Sequence, residues 1–102
     1  MAIMEISIVP IGTKTASVSA YVARALRVLK REKGIKVVLT PMGTVVEAGS
    51  TARLLESARR MHEAVLATGT KRVVTTIKID DRKDKKLTMK GKIRAAERKA
   101  GM

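Results

Sequence analysis

Two short stretches carry residue types that could recognise a ligand. "PIGT" at 10–13 and "PMGT" at 41–44 each end an apolar, β-branched run, and each sets a glycine beside a threonine. Glycine lets a backbone come close to a bound group, and a threonine hydroxyl both donates and accepts hydrogen bonds. Gathered at one rim with the start of a helix, Gly12, Thr13, Gly43 and Thr44 would suit a small polar or anionic ligand, because a helix N-terminus leaves N–H groups unpaired and carries positive partial charge. Pro and Gly also punctuate sheet edges, so the pattern alone leaves a purely structural role open. A second group, Glu5 and Glu47 with Ser7, Thr76 and Lys78, is expected on the sheet face that the helices leave uncovered. A carboxylate there could be solvated, contact a second copy, or pair with a cationic heterocycle.

Other chemistry finds little support. The single histidine, His62, borders an apolar helical stripe, which predicts a packed or partly exposed side chain rather than a proton carrier. There is no cysteine, and no paired His or Cys spacing suggests zinc. Serines occur without a histidine base in a recognisable arrangement. "GTK" occurs at 12–14 and again at 69–71, but neither copy belongs to a G-x-x-x-x-G-K-[ST] loop, so no nucleoside triphosphate site is implied. The expectation is a protein without catalytic residues, metal or cofactor.

A chain of 102 residues makes one domain, 1–102. The absence of cysteine fits a reducing interior, and the N-terminal run has neither a basic start nor the length of a membrane span, which predicts a cytoplasmic protein. Net charge is +13, from 22 Lys and Arg against 9 acids. Residues 82–99, "RKDKKLTMKGKIRAAERK", place nine cations against Asp84 and Glu97 in a basic C-terminal turn and helix. Such a segment could lie along nucleic acid phosphates in a salt-dependent way. With no Phe, no Trp and only Tyr21, base stacking is not expected, so any such binding would be nonspecific.

These residues need elements to position them. Residues 2–9 alternate, with Met4, Ile6 and Ile8 on one face and Ile3, Glu5, Ser7 and Val9 on the other, as in a half-buried strand that Pro10 and Gly12 should break. Ser17 or Ser19 can cap a helix carrying Val18, Tyr21, Val22, Ala25, Leu26 and Leu29. Residues 35–49 read as a hairpin turning at "TPMG", with Gly43 free to take positive φ. Ser50 or Thr51 can cap a second helix with Leu54, Leu55, Ala58, Met61, Val65 and Leu66 on one face, supported by Glu56–Arg60 and Arg59–Glu63 pairs. Residues 71–80 are strand-like, and a short helix from about 89 to 98 follows. The order β-α-β-β-α-β plus a tail helix predicts an α+β, ferredoxin-like sandwich with two helices on one face of a four-stranded antiparallel sheet. In that topology the first two strands run the same way, so the two P-x-G-T segments should be neighbours. Ile3, Val9 and Val74 on the uncovered face predict self-association.

"SIVPIGTKTASVSAYVA", "LTPMGTVVEAG" and "MHEAVLATGTKRVVTTIKIDDRKDK", in this order, resemble the small thiamine-binding protein family. The resemblance covers nearly the whole chain and implies a ferredoxin-like fold, homodimers by sheet pairing that associate into tetramers, and binding of thiamine or a related pyrimidine. Carried over by motif, the ligand-binding candidates are Gly12, Thr13, Ser17 and Ser19 from the first segment and Gly43, Thr44 and Glu47 from the second. After Glu47 the chain departs from the pattern, with "AGSTARL" in place of an acidic stretch. The expectation is therefore a non-enzymatic, oligomeric binder of a small molecule, thiamine or a related pyrimidine or phosphate, with nonspecific association with nucleic-acid phosphates as the alternative.

Overall fold

A computed structural model describes residues 1–102. The chain runs β1 (Ala2–Ile11), α1 (Ser19–Arg27), β2 (Lys36–Thr40), β3 (Gly43–Ala48), α2 (Thr51–Leu66), β4 (Arg72–Asp81) and α3 (Met89–Ala100). The strands form one antiparallel sheet in the order β2-β3-β1-β4, which is the ferredoxin-like arrangement anticipated from the element order.

Alternation along the central strands sets the two faces. Ala2, Met4 and Ile6 of β1 stand beside Val46 and Ala48 of β3 and are buried against α2. From α2, Leu54, Ala58, Met61 and Val65 point inward at helical spacing, and burying these side chains is the main stabilising contribution of the helix. Ser50 caps α2 by accepting the Arg53 N–H at 3.2 Å. Leu55 and Leu66, expected on the same stripe, lie at its edge and remain exposed. His62 places Nδ1 2.6 Å from the Thr75 hydroxyl, tying α2 to β4. Arg59 bridges both Glu56 and Glu63, while Arg60 turns away from Glu56 to meet Glu32 at 2.7 Å. Glu32 also accepts from the buried Ser57 hydroxyl at 2.7 Å, which fastens the α1–β2 connection to α2.

Three local expectations need correction. Pro10 does not end β1: pairing with β3 stops at Ile6, so β1 is an edge strand on that side by residue 10, where a missing N–H is tolerated, and pairing with β4 continues to Ile11. Neither Ser17 nor Ser19 caps α1; the N-cap position is Val18, with no side-chain cap, and the two serine hydroxyls lie 3.3 Å from each other. Ile3 is buried, because α3 crosses the sheet face opposite α1 and α2 at that end. Thr88 caps α3 through the Gly91 N–H, and Lys92 reaches Asp80 at 2.5 Å. In the charged turn before α3, the hydrogen-bonded guanidinium of Arg82 holds the Asp84 carboxyl down at about 2. No helix is long and apolar enough to cross a membrane.

Candidate functional site

Helix α1 packs more closely on α2 than on the sheet, which it meets through Ala25, and a cleft of about 380 Å³ lies between α1, β1 and the β2–β3 hairpin. Val18, Val22 and Leu26 form one wall, Ile6 and Ile8 the floor, and Leu39 with Met42 the far side. Leu39 and Met42 are 57% and 84% exposed, apolar side chains on an edge hairpin that α1 is too short to cover. Polar groups are few. Ser19 stands at the mouth, and Thr44 is buried on the helix-facing side, opposite Ile6. Its hydroxyl takes no part in the hydrogen bonds of the hairpin, which run through Thr40: the Thr40 hydroxyl donates to the Gly43 carbonyl at 2.8 Å and accepts the N–H groups of Gly43 and Met42 at 3.1 and 3.3 Å. An apolar cleft with a small number of placed polar groups is the usual form of a small-molecule site.

The structure divides the seven candidates from the sequence. Ser19, Gly43 and Thr44 line this cleft. Gly12 and Thr13 line a separate one, with Tyr21 and residues 68–71. The two P-x-G-T segments leave the same end of the sheet but are not neighbours. Gly43 sits level with Ser7, and β1 continues five residues further before Gly12, about 16 Å at strand rise. Ser17 is exposed in the connection before α1 and contacts Ser19. Gly43 does not take positive φ; its role is close packing, since a Cβ there would lie 3.1 Å from the Ile6 carbonyl oxygen.

Glu47 lies on the opposite face, shared with Glu5 as expected, but it is 1% exposed and covered by α3. Its Oε1 accepts the Met89 N–H at 2.7 Å, at the first residue of α3, and Lys36 Nζ is 3.9 Å from Oε2, which has no hydrogen-bond partner. Glu47 thus anchors the tail helix and stands away from the α1 cleft. Glu5 is half-exposed and faces Lys78 at 3.5 Å. Thr40 and Leu39 belong to this cleft without being among the sequence candidates. The signal for Thr40 was present in "TPMG", a threonine placed to bond the backbone two and three residues on; nothing in the sequence marked Leu39 as a cleft wall rather than core.

Comparison with known proteins agrees with this architecture. Residues 4–97 match the family described as thiamine-binding protein. The chain is 46% identical over 101 residues to the UPF0045 protein YqgV of Bacillus subtilis, covering 96% of each. The crystal structure of MJ1052 from Methanocaldococcus jannaschii superposes with a TM-score of 0.84 at 42% identity, covering 93% of this chain and 94% of that one. A domain of unknown function, DUF77, from Bacillus cereus superposes with a TM-score of 0.77 at 29% identity, over 90% and 86% of the two chains. On its matched length, its identity to these relatives and its fold, the chain belongs to the thiamine-binding protein family.

Proposed function

We propose that this chain is a non-enzymatic, oligomeric binder of thiamine or a closely related pyrimidine, held in the cleft between α1 and the β2–β3 hairpin. The observation that carries this reading is the cleft itself. Its volume of about 380 Å³ lies in the range of roughly 300–1,000 Å³ typical of small-molecule pockets. Its walls are aliphatic, and it offers hydroxyls from Ser19 and Thr44 to orient a heterocycle. No aromatic ring lines it, so ring contact falls to aliphatic groups and to the polarizable Met42 thioether, which predicts modest affinity. Family membership supports the ligand class. Exposed Val9 and Val74 on the face away from α1 and α2, together with the exposed edge strand β2, support self-association through the sheet.

Thiamine titration by calorimetry tests the assignment. Thr44→Val keeps β-branched shape in a strand and removes only the hydroxyl, so the variant should stay folded and bind thiamine about 1–3 kcal/mol more weakly if a ligand donor or acceptor is left unpaired. Thr13→Val should bind as the parent does, because Thr13 lies in the other cleft. Parental affinity in folded Thr44→Val, or loss in Thr13→Val alone, contradicts the placement.

A further inference from the structure

The two Gly-Thr-Lys tripeptides, unrelated by any nucleotide-loop pattern, come together in space. Gly12–Lys14 follows β1 and Gly69–Lys71 precedes β4; because β1 and β4 pair up to Ile11 and Arg72, the two copies leave the same end of the sheet side by side. Together with Thr15, Thr68 and the half-buried Tyr21 they line a cleft of about 600 Å³ that contains no carboxylate.

Each tripeptide opens on a glycine in the left-handed region, with φ of 79° at Gly12 and 93° at Gly69. A positive φ at each glycine turns the chain sharply at the head of its tripeptide, and such turns are among the backbone arrangements that cradle anions. The backbone N–H groups of Thr13, Lys14, Thr70 and Lys71 belong to no helix or strand and to none of the loop backbone hydrogen bonds, so they are available as donors. The hydroxyls fix the shape of the loops. Thr13 donates to the Thr15 carbonyl at 2.7 Å, and Thr68 donates to the Val65 carbonyl at 2.7 Å, so the 2.9 Å contact with Thr70 is donated by Thr70. The seven ion pairs of the chain leave Lys14 and Lys71 free. Two uncommitted ammonium groups, free N–H donors and no competing carboxylate in one concave space match a compact oxyanion of high charge density.

We propose that the paired Gly-Thr-Lys loops form a binding site for a phosphoryl dianion, either free phosphate or the phosphate of a small monoester, separate from the α1–hairpin cleft. The site stands independently of thiamine binding. Its test uses probes with no heterocycle, so either reading can fail without the other.

Inorganic phosphate and methyl phosphate are titrated into the ¹⁵N-labelled protein at constant ionic strength. Saturable amide shifts are expected at residues 13–15 and 70–71. Lys14→Gln/Lys71→Gln should weaken binding by about tenfold or more, while Lys14→Arg/Lys71→Arg should retain it. Both lysines are exposed, and the same spectra report whether each variant is folded. Response to both probes supports the site and assigns it to monoesters; response to phosphate alone supports it and assigns it to the free anion. No saturable shift in the parent, shifts confined to residues 82–99 or to the exposed cations Arg24, Arg27, Lys30 and Arg31 on and just after α1, or parental affinity in the folded Gln variant would overturn the proposal.

Discussion

Leu54→Ala is expected to lower the free energy of unfolding by about 2–5 kcal/mol, the range for deleting a fully buried leucine with partial collapse of the cavity. Leu54 has no exposed surface and packs in the cluster formed by Met4, Val46, Ala58 and Met61. A domain of this size holds only about 5–15 kcal/mol in total, so the loss should move the urea midpoint far down without changing the slope. The next residue supplies the control. Leu55 is half exposed, and Leu55→Ala should cost less than about 1 kcal/mol. Equal midpoints for the two variants would mean that α2 is rotated from the orientation described.

Glu47→Ala is expected to release α3 while leaving the sheet folded. The variant removes the acceptor of the Met89 N–H and leaves that donor beneath the helix without a partner, a cost of about 1–3 kcal/mol. Helix α3 has limited means to offset it: it lies over Ile3, but none of its own residues is buried and its other polar tie, Lys92 to Asp80, is solvent-exposed. Lys36 is largely exposed and 3.9 Å from the carboxylate, so its attraction contributes little. Amide exchange in residues 92–100 should therefore accelerate by one to two orders of magnitude, about what 1–3 kcal/mol implies, while β1 and β3 amides keep their protection. Glu47→Gln retains the accepting oxygen and should hold α3 in place. Unchanged exchange in Glu47→Ala would show that α3 is docked by other contacts.

These two positions illustrate what the sequence reveals and where it stops. Period-two alternation in β1 and helical spacing in α2 named Met4, Ile6, Leu54, Ala58, Met61 and Val65 as core, because burial on one face is a local pattern. Leu55 matched the same spacing, but its exposure depends on where the stripe meets the sheet, which is set by packing. The candidate site was harder to read. Repetition of P-x-G-T suggested one rim, whereas strand register decides which residues meet, and β1 overruns the hairpin by several residues. Glu47 was placed on the correct sheet face by alternation; its burial depends on α3, which begins 42 residues later. The proximity of the two GTK tripeptides likewise follows from β1–β4 pairing and has no counterpart in local sequence.

Whether the chain is an oligomeric small-molecule binder is read out in one step by native mass spectrometry in the presence of thiamine. The expected species is an assembly of two or four copies of the 11.1 kDa chain carrying up to one thiamine per chain. In Thr44→Val the assembly should persist and the bound thiamine should fall. A monomer at micromolar concentration, or an assembly that retains no thiamine under conditions where a weak binder would be saturated, would contradict that assignment.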